Sequence, residues 1–118
     1  MADTDPFTIG SNNVIPYSID STSSALTIPS AGTPAGKVFL VFDVFIQTEA
    51  DGDIQLKSGT TTMTGPIQFT AATTRERRWT NAGYPVFRGR ASGDDFIIAN
   101  ASSVQMNGWV LLYEVETR

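Results

Sequence analysis

Apolar residues are densest between Val38 and Ile46, where the sequence reads VFLVFDVFI. In an extended strand, successive side chains point to opposite faces, so strict alternation divides this stretch into two apolar rows. The rows are Val38, Leu40, Phe42, Val44 and Ile46 on one face, and Phe39, Val41 and Phe45, with Asp43, on the other. Leaving a row in water would forfeit about 1.5–3 kcal/mol for each large side chain. We therefore expect both faces to be covered, the second by another sheet or by another copy of the protein.

A second strand with apolar residues on both faces is predicted near the end of the chain, over residues 104–115. Trp109 and Tyr113 alternate there with Val110 and Leu112. Elsewhere, short alternating segments are separated by turns rich in Gly, Pro, Asn and Asp, and no segment has the periodicity of a helix. This pattern predicts an all-β fold, an antiparallel β-sandwich of jelly-roll type, with about eight to ten short strands and no substantial helix.

The chain has 118 residues, which is the length of one domain. Its first residues are polar and include Pro6, so residues 1–13 are predicted to be a flexible N-terminal arm and lead-in. Residues 14–118 are predicted to form a single β-sandwich domain.

One turn within this domain carries a cluster of acidic residues. Asp51-Gly52-Asp53 stands between two alternating segments and predicts a β-hairpin. Together with Glu49, these aspartates also offer oxygen ligands to a hard cation. They lack the further ligands of a calcium-binding loop, so the plain hairpin is the preferred interpretation.

Cysteine and histidine are both absent from the chain. Their absence excludes Ser-His-Asp and Cys-His catalysis, zinc sites built from thiolate or imidazole ligands, and haem ligation by either residue. No motif places any two of Asp43, Asp94, Asp95 and Glu114 in a glycosidase pair. None supports a Ser-Lys pair that uses Lys37 or Lys57. We therefore expect a protein that is not an enzyme and that uses no cofactor or metal.

The chain is acidic, with a formal net charge of −4 and a pI near 4.5. Nucleic acid is not an expected partner, because neutralising phosphates requires a basic surface. A membrane is not expected either, because no apolar run reaches the length of a membrane span. The N-terminal sequence MADTDPFTIG has acidic residues where a signal peptide has basic ones, so we expect synthesis in a cytoplasm without secretion by a signal peptide.

Basic residues are concentrated between positions 75 and 90, which hold five of the eight in the chain and only one acidic residue. One interpretation is a solvated edge strand protected by charges. The other is a docking surface, in which arginines pair with carboxylates of a partner and Trp79 or Tyr84 supplies an apolar anchor. The candidate docking residues are Arg75, Arg77, Arg78, Trp79, Arg88 and Arg90.

Asp43 is the one charged residue in the apolar stretch from Val38 to Ile46. A carboxylate buried there needs a partner, which one of the clustered arginines would supply, from the same chain or from a neighbouring subunit. The second face of this strand, with aromatic residues of the closing strand, is the candidate subunit interface. The candidate interface residues are Phe39, Val41, Asp43, Phe45, Trp109 and Tyr113.

Several short sequences from about residue 25 onward resemble those of small β-sandwich virion proteins of tailed bacteriophages. They are Gly36-Lys37-Val38-Phe39, Ser58-Gly59-Thr60-Thr61 followed by Thr64-Gly65-Pro66-Ile67, the segment from Phe87 to Gly93, and Gly108-Trp109-Val110 with Tyr113. Such proteins are decoration or cement proteins, which bind the outside of the head, commonly as trimers at threefold positions of the capsid lattice.

The resemblance implies a viral structural protein on the capsid surface of the virion. It would be a homotrimer whose partners are its own copies and the major capsid protein, with no nucleic acid or membrane involved. Its role would be to hold neighbouring capsid proteins together against the pressure of packaged DNA. Either the arginine-rich segment or the N-terminal arm would contact the capsid, and no catalytic residues are implied.

Three other functions are left open. A trimeric head domain of a tail fibre, which binds a receptor, would also be a β-sandwich, although it is usually joined to a longer shaft. A carbohydrate-binding module would need exposed aromatic residues on a flat face. Trp79, Tyr84, Phe87 and Trp109 are the residues that such a module would recruit. An enzyme is the least favoured of the three because histidine and cysteine are missing.

Overall fold

The computed structural model describes residues 14–71 and 74–116. The predicted N-terminal arm, residues 1–13, lies outside the described residues. The described part of the chain forms ten β-strands and contains no helix, and therefore none that could cross a membrane. The strands are β1 (Ile15–Ser21), β2 (Ala25–Ile28), β3 (Lys37–Thr48), β4 (Gly52–Ser58), β5 (Thr61–Thr62), β6 (Ile67–Phe69), β7 (Glu76–Thr80), β8 (Phe87–Arg88), β9 (Phe96–Asn100) and β10 (Met106–Glu116).

The strands form two sheets that pack face to face, and all of their pairings are antiparallel. The front sheet has the strand order β1, β10, β3, β7, with β8 also paired to β3. The back sheet has the order β2, β9, β4, β5, with β6 also paired to β4. This arrangement confirms the predicted all-β fold and the antiparallel β-sandwich.

The central strand β3 contains a β-bulge at Phe42. Leu111 of β10 lies opposite Asp43, whereas the next residue of β10, Leu112, lies opposite Val41, so Phe42 has no partner in β10. One extra residue in a strand reverses which side chains face the core, because side chains alternate with a period of two.

This bulge divides the apolar stretch of β3 into two halves of opposite phase. Phe39 and Val41 face the core before the bulge, whereas Val44 and Ile46 face it after the bulge, and all four are 0% exposed. The prediction of strict alternation from Val38 to Ile46 is therefore wrong. Much of the apolar character assigned to two faces belongs to a single core face that changes phase.

The segment with Asp51 and Gly52 connects the two sheets, because it joins the end of β3 in the front sheet to the start of β4 in the back sheet. The predicted hairpin is therefore wrong. Gly52 is buried, and a Cβ atom there would lie 3.0 Å from the side chain of Val104, which favours glycine at this corner. Nε of Arg75 donates a hydrogen bond of 3.0 Å to Asp51, and this bond lowers the pKa of the Asp51 carboxyl group below its ordinary value.

The core lies between the two sheets and is built from the inward-facing residues of the longer strands. Phe39 of the front sheet contacts Phe96 of the back sheet, with ring centroids 5.4 Å apart. The buried apolar residues of this core are Ile19, Ile28, Phe39, Val41, Val44, Ile46, Ile54, Leu56, Phe69, Phe96, Ile98, Met106, Val110 and Leu112.

Candidate functional site

The outward-facing sides of the two sheets differ in character. On the front sheet, the outward positions of β3 and β10 carry large apolar and aromatic side chains that are only partly buried. We call this surface the outer aromatic face, and its main residues are Leu40, Phe45, Trp109, Leu111 and Tyr113. On the back sheet, the outward positions of β2, β4 and β9 are mostly small or polar: Ala25, Thr27, Gln55, Lys57, Ile97 and Ala99. The front sheet is therefore the one that presents a surface suited to burial by a partner.

Two stacked rings lie at the centre of the outer aromatic face. Phe45 and Trp109 are directly opposite each other in β3 and β10. Their ring centroids are 4.6 Å apart and their planes are inclined by 25°. Trp109 is nevertheless 39% exposed, which is unusual for a tryptophan held in a sheet. A rigid, stacked and partly exposed aromatic pair is the kind of anchor that protein interfaces use.

An ion pair borders these rings. Arg78 of β7 donates from Nε to Oδ1 of Asp43 over 3.0 Å and from Nη2 to Oδ2 over 2.7 Å. Asp43 is only 7% exposed, and the hydrogen bond to its carboxylate raises the pKa of the Arg78 guanidinium above its ordinary value. The prediction that a clustered arginine would pair with Asp43 is confirmed, and the arginine comes from the same chain.

The guanidinium group of Arg78 also lies over the Trp109 ring, 6.0 Å from its centroid, in a cation–π arrangement. It thus holds the carboxylate of Asp43 and the indole ring together. The result is a fixed island of charge within an apolar surface. Such an island gives an interface specificity, because a partner must match the charge as well as the shape.

Gly108 brings β10 close to β3 next to this island. A Cβ atom at this position would lie 1.8 Å from the backbone oxygen of Phe45, and the residue has a φ of 150°. No side chain fits there, so glycine is required for the close approach that places Trp109 on Phe45.

The predicted interface residues divide between two sides of the front sheet. Asp43, Phe45, Trp109 and Tyr113 lie on the outer aromatic face, as their register positions require. Phe39 and Val41 lie in the core instead, because the bulge at Phe42 changes the phase of β3. Their assignment to a surface covered by another copy is therefore corrected.

The predicted docking residues do not form one surface. Arg75 and Arg78 are paired with Asp51 and Asp43. Arg77 lies over the ring of Trp79 at 5.7 Å from its centroid, on the inward side of β7. Trp79 itself is half-buried and packs against the core and against Phe87.

Arg88 and Arg90 differ from the other arginines of the segment. Both are exposed, and neither forms an ion pair or a side-chain hydrogen bond with any described residue. Tyr84, the other aromatic anchor considered for the segment, lies in the connection between β7 and β8 and is 70% exposed.

Leu40 and Leu111 also belong to the outer aromatic face, although neither is among the predicted interface residues. Strict alternation places Leu40 in the same row as Val44 and Ile46, because it does not include the bulge. Leu111 follows the exposed Trp109 by two residues, and this spacing could have identified it.

No protein-family model matches the chain, and comparisons with curated proteins and with solved structures find no significant match. Among the described residues there is also no group of three or more acidic side chains placed to hold a metal ion. The function must therefore be inferred from the geometry of the chain itself.

Proposed function

We propose that the protein is a structural virion protein that binds the outer surface of a tailed-phage head and stabilises the capsid lattice. The observation that carries this proposal is the outer aromatic face, with its stacked Phe45 and Trp109 and no layer of the described chain above it. A face of this kind is suited to assembly rather than to chemistry. The resemblance to decoration proteins indicates that this assembly is a phage capsid.

The strand order supports a jelly-roll assignment within this proposal. Four antiparallel pairs are nested along the chain: β1 with β10, β2 with β9, β3 with β7 and β8, and β4 with β6. The first and third pairs lie in the front sheet, and the second and fourth lie in the back sheet. Jelly rolls are common in viral capsid proteins and also in lectins, so the fold fits the proposal but does not single it out.

The partner that covers the outer aromatic face is another copy of the chain. β3 has 12 residues, which corresponds to a length of about 40 Å, and four strands give a width of about 19 Å. Such a face offers about 750 Å², close to the area of about 800 Å² that each partner contributes to a standard interface. Three copies with these faces towards a common axis would form the homotrimer that the resemblance implies.

Contact with the capsid is assigned to β7, which is an edge strand of the front sheet. Arg77 there is exposed and lies over Trp79, so a charged group and an aromatic surface occur together. An acidic surface of the major capsid protein would complement this edge.

The test is co-sedimentation of the purified chain with empty heads of the phage that encodes it. The wild-type chain is expected to sediment with the heads, and the Arg77→Glu variant to remain largely in the supernatant. Lys57→Glu is the matched control, because this substitution makes the same change of charge on the outward side of the back sheet. A wild-type chain that stays in the supernatant at every concentration would remove the proposed function.

One observation favours a second candidate function, that of a carbohydrate-binding module. Trp109 is 39% exposed next to a charged pair, and sugars stack on such rings beside polar groups. A glycan array separates the two proposals. Binding that is lost in Trp109→Ala, without any association with heads, would favour the carbohydrate module.

A further inference from the structure

A cleft of about 230 Å³ is lined by residues of β1, β10 and the start of β3 in the front sheet, and β1 is the edge strand opposite to β8. Its lining residues are Ile15, Tyr17, Lys37, Leu112, Tyr113 and Glu114. Oε2 of Glu114 is shielded from solvent and has no hydrogen-bond partner among the described residues. A buried carboxylate oxygen without a donor is costly, so this cleft lacks a group that the carboxylate requires.

Lys37 lines the same cleft but forms no ion pair with Glu114 within the described part of the chain. The apolar side chains of Ile15 and Leu112 form part of the wall. A guanidinium group on an apolar stem matches this combination, because the stem packs on the wall while the planar head donates to the carboxylate.

Guanidinium groups without ion pairs among the described residues occur on the other edge of the same sheet. They lie at the same position along the strand direction as Glu114. Glu114 is opposite Phe39 in the pairing of β10 with β3. The backbone oxygen of Phe39 accepts a hydrogen bond of 2.9 Å from the N–H of Gly89. Within the described residues, the row of the sheet that includes Glu114 and Phe39 therefore ends between Arg88 and Arg90, the two arginines without partners in the described residues.

This placement matters because a rotation about an axis parallel to the strands does not change the position of a residue along that axis. In a ring of copies related by such a rotation, one edge of each front sheet meets the opposite edge of the next one. The carboxylate of Glu114 and the arginines beside Gly89 would then come to the same level at every contact. This contact is head-to-tail, and when its rotation closes into a ring no site is left unfilled.

We propose that Arg88 and Arg90 of a second copy of this chain reach the cleft and that one of them donates to Glu114. The site is thus incomplete in a single chain and is completed by its neighbour. The inference rests on the proposed self-association, and it removes Arg88 and Arg90 from the group of capsid-docking residues. Arg77 and Trp79 on β7 are left as the docking pair.

The experiment is a charge swap measured by light scattering behind a sizing column. The single variant Glu114→Arg is expected to raise the dissociation constant of the assembly at least about tenfold, and so is the double variant with Arg88→Glu and Arg90→Glu. The three substitutions combined are expected to restore assembly. Asp53→Arg and Lys57→Glu, on exposed and half-buried positions of the back sheet, are the matched controls and should leave the mass unchanged.

Thermal melts of each variant separate loss of assembly from loss of folding. If Glu114→Arg does not fold, Glu114→Gln replaces it as the single-sided variant only. Wild-type assembly that both single-sided variants leave intact would overturn the contact. A combined variant that folds but does not reassemble would also overturn it. Co-sedimentation with heads tests the proposed function separately, because a chain that is monomeric in solution and still binds heads would retain that function while losing this contact.

Discussion

At the scale of single residues, the outer aromatic face depends on Gly108. A methyl group there would overlap the backbone oxygen of Phe45, so Gly108→Ala must push β10 away from β3. We expect this substitution to lower the free energy of unfolding by more than about 2 kcal/mol, as measured by urea denaturation. Gly65→Ala is the control, because a Cβ atom at Gly65 would meet nothing within 4 Å. Equal effects of the two substitutions would contradict the close approach.

Tyr17 gives the protein a predicted sensitivity to alkaline pH. Burial, and then the charge of Glu114, raise the pKa of the Tyr17 phenol above its ordinary value of 10.0. A raised pKa means that folding favours the neutral phenol, so this contribution to stability is present below the ordinary pKa and is lost as the pH rises through the folded value.

The measurement is the free energy of unfolding in urea between about pH 8 and about pH 11. Tyr17→Phe is expected to weaken the loss of stability at the alkaline end, whereas Tyr84→Phe, at an exposed position, should not. An unchanged alkaline profile in Tyr17→Phe would show that the phenol is not perturbed.

The pair formed by Asp43 and Arg78 shows how much the sequence can predict about the partners of single residues. A carboxylate within an apolar strand requires a cationic partner, and this requirement is visible in the sequence. Which of five arginines fills the role depends on the register of β7 on β3, and nothing in the local sequence determines that register. The Glu114 oxygen that lacks a hydrogen-bond partner among the described residues could not be predicted for the same reason, because its cleft is made by β1, β3 and β10, which are distant in the chain.

At the scale of elements, the bulge in β3 leads to a prediction that differs from that of strict alternation. Phe39 and Phe45 are both odd-numbered, so alternation places them on the same face. The structure places Phe39 in the core and Phe45 on the outer aromatic face. Phe39→Ala should therefore cost about 3–5 kcal/mol of unfolding free energy, and Phe45→Ala clearly less.

Urea denaturation at a protein concentration low enough to dissociate the assembly measures the unfolding free energies of both variants as single chains. Equal costs for Phe39→Ala and Phe45→Ala would mean that the strand keeps one phase throughout. In that case the bulge at Phe42 would not exist in solution.

The strands themselves were largely predictable, because alternation and turn residues are local signals. Three features of their arrangement were not. The bulge at Phe42 is fixed by pairing with β10, the crossing at Gly52 is fixed by packing against Val104, and the break between β7 and β8 coincides with the bulge. Each depends on contacts between segments far apart in the chain, which a period-two pattern does not encode.

At the scale of the whole molecule, the difference between the two sheets determines how the protein can be used. The back sheet presents small and polar side chains and can face water. The front sheet presents the outer aromatic face. Among the described residues, one side of this sheet has a Glu114 oxygen without a hydrogen-bond donor, and the other side has arginines without ion pairs. A ring of copies would bury the face and bring the two edges together in one step.

The most direct test of this account is the mass of the purified chain in solution, measured by light scattering across a range of concentrations. The account predicts about three times the 12.7 kDa of one chain for the wild type. It predicts a single-chain mass for the folded double variant with Phe45→Ser and Trp109→Ser. A wild-type chain that remains at 12.7 kDa at the highest concentration would contradict it, because the outer aromatic face would then be open to water.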